Sequence, residues 1–446
     1  MLTRDQAQKL AQQVLADSTF PECSVSVSSS EQAFTRFANN GITTAALVNR
    51  HSVAIAATRD GRTGSTVSND LDPGSLRSAM RRAEELATIA PVNPEHAVPL
   101  GKQEYPETKD YDEQTANARA PEMLPRIRAV IDTSAKRELL AAGLFERQTT
   151  STAIANKAGL FGYHRAADSK LTVTVRKPDG SSSGWAGQPS TRIAEIDGAA
   201  LANAAAEKCA RWKNPRRLEP GRYTVVFEPT ATGDIVSLLG GGFMSQGFSA
   251  RADEEGRSFL SKRGGGTKLG EKLFPDFINL RTDPFDPRLP ASPWTNDLFP
   301  TRKMDWIDHG KIANLALDRY WAEKTHREAT PSTTSLILDG GDAPLNQLIQ
   351  SVERGLLVTH FWYIRFVNPQ TQQYTGLTRD GLFLIEKGRI SDPVMNFRFN
   401  DGPLNLLKNT VKLGQAVRIR GLEGATMVAP SLVANDFSFT SISDAV

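Results

Sequence analysis

Between Glu353 and Val394 the chain reads ERGLLVTHFWYIRFVNPQTQQYTGLTRDGLFLIEKGRISDPV. β-Branched and aromatic side chains crowd this run. They lose rotamer freedom in a helix and fit a pleated, half-buried surface, so the run favours strand. FLIE and RI flank Lys387-Gly388, a short-hairpin signal. The same run sets His360, Tyr363, Arg365, Thr378, Arg379 and Asp380 among the strands. A sheet built only to pack would not choose that mixture, and polar groups at intervals in it predict a groove that holds a ligand. With period two, His360, Trp362 and Ile364 share one face, and Phe361, Tyr363 and Arg365 the other. Two plainer readings stand beside this one: His360 as a hydrogen-bonded core histidine, and Arg379-Asp380 as a mutual ion pair.

The first half is patterned differently. A helix opens the chain, with Thr3 as its cap and Gln6 in the capping-box position. Alternation begins at Cys23 (CSVSVSSS), and a second strand at Ala33–Ala38 ends in Asn39-Asn40-Gly41. Strands come next at Thr43–Val48 and Val53–Thr58, then the turn Asp60-Gly61, a strand through Thr66, and a helix from Pro73 to about Ala87. The order then recurs: a helix at Met123–Leu139, strands at AGLFERQ and TAIANKAG, LTVTVR, the turn Asp179-Gly180, and a helix at Gly198–Cys209. Gly184-Trp185 stands where Gly64-Ser65 stood. The pattern predicts an internally duplicated α/β domain over 1–215, with units 1–90 and 121–215 and a Pro-rich connection at 91–120. A mainly antiparallel β-rich domain occupies 216–446, which makes the fold class α+β.

In that second half, RYTVVFEP reads as a strand and DIVSLLGGGFM as a helix start broken by glycines. Gly264–Gly266 lacks phosphate-loop spacing and reads as a loop whose glycines admit a neighbouring backbone. The proline-rich stretch Thr282–Pro300 is a lid candidate. LALDRYWAEKT reads as a helix and SLILDG as a strand. A further helix is capped by Asp342, begins at Pro344 and stops at Gly355.

Chemical motifs are few. The six histidines (His51, His96, His164, His309, His326 and His360) are never within five residues of one another, so HExxH and its longer helical variants are absent. There is no G-x-S-x-G elbow. Cys23 and Cys209 read as buried reduced thiols. With 53 basic and 50 acidic residues, net charge +3, the balance gives no reason to invoke nucleic acid or a membrane surface. No stretch approaches transmembrane length and no signal peptide is visible, so the expected compartment is the cytoplasm.

These residues carry a resemblance. LLVTHFWYIRF through ISDPV resembles the C-terminal signature of the TldD/PmbA family, also called modulators of DNA gyrase. The matching positions are Asn368, Thr375-Gly376, Gly381, Ile385-Glu386, Gly388, Ile390 and Pro393-Val394. SVAIAATRDGRTGSTVSNDLDPGSL and HGKIANLALDRYWAEK resemble two further segments of the family, in the same order. The family has two kinds of subunit. The TldD kind carries a zinc-binding HExxxH helix and a downstream cysteine, and the TldE (PmbA) kind lacks them and pairs with it. Here SLLGGGFMSQG stands where the motif would lie, and Leu413 about where the cysteine would be. The resemblance therefore implies a metal-free, TldE-like subunit with no catalytic residues of its own. Zinc, its water and the general base would come from a TldD-like partner in a heterodimer, a homodimer being the other possibility. This chain would wall a chamber for unfolded peptides by strand addition, with His360, Tyr363, Arg365, Thr378, Arg379 and Asp380 as peptide-binding candidates. Two rivals remain: a self-sufficient hydrolase or transferase using His360 with Asp380 or Arg379, and a homodimeric peptide-binding module without catalysis.

Overall fold

The computed structural model describes residues 1–239, 247–330, 335–421 and 426–443. Helix α1 (Arg4–Ala16) begins on the predicted capping box, in which Thr3 and Gln6 satisfy each other's backbone N–H. It leads to β1 (Glu22–Ala38), β2 (Gly41–Arg59), β3 (Arg62–Ser68) and α2 (Pro73–Ile89), which Asp72 caps. After the connector and the short α3 (Glu113–Asn117) come α4 (Ala120–Ala135), β4 (Leu140–Asn156), β5 (Phe161–Arg176), β6 (Ser183–Ser190) and α5 (Gly198–Arg211). The order helix, three strands, helix thus occurs twice. All six strands form one antiparallel sheet, β3-β2-β1-β4-β5-β6, and the two units meet where β1 pairs β4 from Ser24–Asn156 to Phe37–Gly143.

Side-chain alternation sorts the two faces of this sheet. Val25, Val27, Val53 and Ile55 pack under α1 and α2, and Phe145, Leu171 and Val173 under α4 and α5. The other face carries Ser24, Ser26, Ser28 and Ser30, all half-buried. The alternation predicts separate strands at Cys23 and Ala33–Ala38, and at Thr43–Val48 and Val53–Thr58. Each pair is one continuous strand, because the polar middle residues stay in register with their neighbours across the sheet. The turns are two-residue: Asn39 and Asn40 have φ 48° and 60°, Asp60 and Gly61 have 51° and 71°. Positive φ at both positions matches the right-handed twist of a hairpin.

The second layer contains β7 (Gly221–Phe227), α6 (Pro229–Val236), α7 (Ala250–Glu254), β8 (Leu280–Thr282), β9 (Met304–Asp308) and β10 (Lys311–Ile312). Next are α8 (Arg319–Lys324), β11 (Leu336–Leu338), α9 (Leu345–Gln350), β12 (Arg354–Val358), β13 (Phe361–Asn368) and β14 (Gln373–Thr378). Last are β15 (Leu382–Glu386), β16 (Arg389–Pro393), β17 (Phe397–Asp401), α10 (Pro403–Lys408), β18 (Thr410–Arg420) and β19 (Thr426–Ile442). They build a 13-stranded sheet with the central path β10-β9-β8-β11-β19-β7-β12-β15-β16. Only β7–β12 and β11–β19 are parallel among the described strand pairs, so the sheet is mainly antiparallel as expected. Aromatic rings fill its core, with Phe361–Phe399 centroids 4.7 Å apart and Phe227–Phe437 5.1 Å apart.

Several local expectations are corrected. The helix before β11 spans only Arg319–Lys324, from its cap at Asp318. Asp342 caps nothing: α9 begins at Leu345 with no side-chain cap. Gly355 is not its stop but lies in β12, where an added Cβ would come within 2.6 Å of the Thr224 carbonyl on β7. Gly264, Gly265 and Gly266 all have positive φ and no crowding neighbour, so they serve backbone conformation and not close approach. The glycine break after α6 falls at 240–242, outside the described residues.

Candidate functional site

His360 sits in the link between β12 and β13, at the junction of the two layers, and is fully buried. Its ring packs on Trp185 of β6, centroids 4.9 Å apart. Its Nε2 lies 3.5 Å from Asp380 Oδ2. That is an electrostatic contact and not a hydrogen bond, and neither ring nitrogen has a hydrogen-bond partner among the described residues. The other oxygen of Asp380 accepts from the Ser183 hydroxyl on β6. Asp380 and Gly381 have φ 52° and 140°, a tight link from β14 to β15 that turns the carboxylate inward. Burial alone would push the Asp380 carboxyl up. The nearby imidazole, the Ser183 hydroxyl and Arg379 outweigh it and hold the group below its ordinary value. Arg379 approaches Asp380 at 3.7 Å, while its guanidinium lies over Trp362, 4.3 Å from the ring centroid.

Tyr363 and Arg365 do not share a face with Phe361, as strict alternation predicts. Phe361 and Ile364 are buried, and Tyr363 and Arg365 face outward. Trp362 pairs Leu377 and Arg365 pairs Thr375, so β13 carries one extra residue between these two pairs. Tyr363, at φ 57°, absorbs this β-bulge. The Arg365 guanidinium stacks on the Tyr363 ring at 4.0 Å and donates to the Ile364 carbonyl. Thr378 is a core bridge: its hydroxyl donates to Asn396 Oδ1 and accepts from Phe397 N, both at 3.0 Å.

Thus His360, Arg379 and Asp380 come together, Tyr363 and Arg365 lie on the neighbouring bulge, and Thr378 joins β14 to β17. Sequence reasoning missed Ser183 and Trp185, which arrive from the other layer. It also missed Asp234 on α6, a buried carboxylate that accepts from Phe361 N at 2.9 Å and fixes the start of β13. No local pattern marks these residues as partners of a strand so far along the chain.

The potential ligands and nucleophiles are sparse. Among the described residues no group of three or more His, Cys, Asp or Glu is placed to hold a metal ion. Helix α6, directly after β7, carries no histidine, and Leu413 lies on β18. Cys23 and Cys209 are buried free thiols, and burial pushes both pKa values up, away from thiolate chemistry. No helix among the described residues is long and apolar enough to cross a membrane.

Two adjoining cavities lie where the layers face each other. One, of about 670 Å³, is lined by Gln188, Arg192, Arg288 and Arg418 among others. The next, of about 550 Å³, has Lys109, Tyr111, His164 and Arg165 on its wall. Thr191, Arg192 and Pro287 belong to both. Pro287 and Pro293 bring the loop after β8 to this cleft. The loop is pinned by Asp286, which takes ion pairs from Arg281 and Arg288.

Comparison with known proteins places these features. Residues 220–441 match the PmbA/TldA metallopeptidase C-terminal domain, and residues 23–87 match the PmbA/TldA metallopeptidase domain 1. No curated protein sequence gives a significant match. Among solved structures the chain is similar to TldE from Thermococcus kodakarensis, with TM-score 0.85, 18% identity, and 97% of this chain and 99% of that one covered. It is also similar to two proteins provisionally assigned as modulators of DNA gyrase. The one from Thermotoga maritima MSB8 gives TM-score 0.83 at 17% identity, covering 97% of this chain and 100% of that one. The one from Bacteroides thetaiotaomicron VPI-5482 gives 0.83 at 21%, covering 99% and 100%. At these identities the likeness is one of fold.

Proposed function

The chain belongs to the TldD/PmbA metallopeptidase family, and on that premise we propose that it is the metal-free subunit of a two-subunit peptidase. It walls a chamber in which unfolded peptides are held for hydrolysis by a zinc-bearing partner. The observation that carries this reading is the chemistry of α6 and of the segment after it. From Pro229 to Gly247 there is no histidine or cysteine, and Asp234 is the sole carboxylate. A zinc site needs at least three protein ligands. His360 and Asp380 supply two, and among the described residues no third His, Cys, Asp or Glu stands with them. The residues present do not fit the metal, and no step of hydrolysis is assigned to them.

The division of labour matches the two layers, taken as domains 1–215 and 216–446 of a cytoplasmic protein. The interlayer cleft offers a path for an extended peptide. The bulged strand β13, which pairs only with β14 among the described strands, offers an edge for strand addition. Tyr363, Arg365 and Arg379 beside that edge would steady the peptide, and His360 with Asp380 would hold the wall in shape. His360 has no exposed surface, which speaks against its meeting a substrate as a catalyst.

The test is metal analysis of the purified chain, together with peptidase assays on an unfolded polypeptide. The expected result is no stoichiometric zinc, no turnover by the chain alone, and turnover when a zinc-bearing family subunit is added. One tightly bound zinc per chain, or turnover by the chain alone that His360→Ala abolishes, would falsify the proposal.

A further inference from the structure

Trp294 roofs a third cavity, of about 400 Å³, on the open face of the six-stranded sheet. Its floor includes one row of residues paired across four strands: Val67 of β3, Ala54 of β2, Ser26 of β1 and Ile154 of β4. Alternation turns these side chains away from α1 and α2, under which Val25, Val27, Val53 and Ile55 pack instead. The tip of the loop after β8, with Trp294 and Leu298, closes the other side. Val67 is 65% accessible, so the groove is open to solvent at its β3 end.

Two sets of contacts hold the roof in place. Within the loop, Thr295 N donates to the Phe299 carbonyl and Leu298 N to the Thr295 carbonyl, both at 2.9 Å, which closes the tip into a tight turn. From the connector, the Tyr105 hydroxyl donates to the Leu298 carbonyl at 2.8 Å, and its ring meets Trp294 edge-on with centroids 5.2 Å apart. Tyr105 lies in turn on Gly162 of β5, where an added Cβ would come within 2.8 Å of the ring. The groove is therefore preformed, and a ligand bears little cost of ordering it.

The lining says what fits. None of its residues is charged, so a charged group entering here would lose water and find no counter-ion. The Ser24, Ser26 and Thr152 hydroxyls and the Asn296 amide make no hydrogen bond to another described residue. A hydroxyl both donates and accepts, so such a set can take backbone N–H and C=O groups in either direction. Val67, Ile154, Trp294 and Leu298 leave an apolar space beside them for a side chain. The groove also adjoins the interlayer cleft. Thr152 is paired with His164, which lines the cavity of about 550 Å³, and the His164 and Trp294 ring centroids lie 6.1 Å apart.

We propose that this groove is a specificity pocket, in which an extended peptide held between the layers seats one bulky, uncharged side chain under Trp294. The assignment rests on the peptide chamber proposed above and adds a substrate class to it: unfolded segments that carry an aromatic or large aliphatic residue.

Calorimetric titration of the full chain with unlabelled Gly/Ser peptides that carry one central Phe, Ser or Asp tests this. The Phe peptide should bind about tenfold more tightly than the Ser peptide, the gain expected for burying one such side chain, and the Asp peptide most weakly. Trp294→Ala removes the roof and Ala54→Leu fills the groove from the floor. Each should bring the Phe peptide down to the affinity of the Ser peptide. Ala54→Leu leaves the contacts of the roof in place, so it decides the matter if Trp294→Ala loses its fold by circular dichroism. Equal binding of the Phe and Ser peptides overturns the pocket and leaves the chamber standing, since an unselective chamber would bind both. A Phe preference that survives both substitutions also overturns the pocket. Binding of none of the peptides, by the chain alone or with a zinc-bearing family subunit added, overturns pocket and chamber together.

Discussion

The carboxylate of Asp380 accepts a hydrogen bond from Ser183, a residue 197 positions earlier, and so fastens the 13-stranded sheet to the edge strand of the six-stranded one. The contact is buried on both sides. Removing the acceptor strands the Ser183 hydroxyl and takes away the carboxylate that lies 3.5 Å from His360 Nε2. Asp380→Ala should therefore destabilise the chain by about 1–3 kcal/mol, and Ser183→Ala by less. The sign of the pH effect is fixed by the lowered carboxyl. Its contribution is complete above the unfolded value of about 4 and is lost as pH falls through the folded one. Denaturant melts of the three proteins at pH 7 and pH 3 check both points, and equal stability of all three at pH 7 would refute the fastening role.

Range decides what is legible in the sequence and what is hidden. The capping box at Thr3 and Gln6 and the turn Lys387-Gly388 are set by residues within a few positions, and both stand in the structure. The period of β13 fails at Tyr363 because a bulge is selected by the partner strand β14, which the alternation of β13 does not contain. Gly355 reads as a helix stop for the same reason: the β7 backbone against which it packs lies far back in the chain. Of the candidate site, the His360, Arg379 and Asp380 cluster is legible because a single β-rich run carries all three. Ser183 and Trp185 are not, since only the packing of one layer on the other brings them there.

Gly64 of β3 and Gly184 of β6 are equivalent points of the two units. An added Cβ at Gly64 would overlap the Ala83 carbonyl of α2, and one at Gly184 the Ala205 carbonyl of α5. Backbone in a packed helix cannot step aside as a side chain can. Gly64→Ala and Gly184→Ala should each cost about 1–3 kcal/mol or more, the usual range for overpacking. Gly266→Ala, with space around it, should cost only what its positive φ exacts. Thermal melts rank the three, and parity of Gly64→Ala with wild type would show that the helix is not seated on the glycine.

Asp286 pins the loop after β8. Its hydrogen bond from Arg288 leads the causes that lower its carboxyl to about 2, against the opposing effect of burial and with help from Arg281. A depressed folded value means stabilisation that is complete above the unfolded value of about 4 and lost as pH falls from there toward 2. Wild type should therefore melt above Asp286→Asn at pH 7, and the gap should narrow steadily below pH about 4. A gap that is constant down to pH of about 2.5 would mean that the ion pairs contribute nothing.

Tyr363 holds φ 57° on an exposed bulge, where its ring supports the Arg365 guanidinium. The left-handed conformation costs an ordinary residue about 1–2 kcal/mol, a cost glycine escapes. Tyr363→Gly gains that amount and loses a surface cation–π contact of about 0.5–1 kcal/mol. Its stability should stay within about 1 kcal/mol of wild type, while Tyr363→Val, β-branched and left-handed, should fall below both. If the bulge presents Arg365 to a peptide, the same glycine variant should bind an unfolded peptide several-fold more weakly, because Arg365 loses the ring that orients it. Melting and peptide titration of the two variants separate the roles. Wild-type affinity in Tyr363→Gly would leave the bulge a matter of sheet geometry alone, and a large loss of stability in that variant would show that the ring belongs to the core.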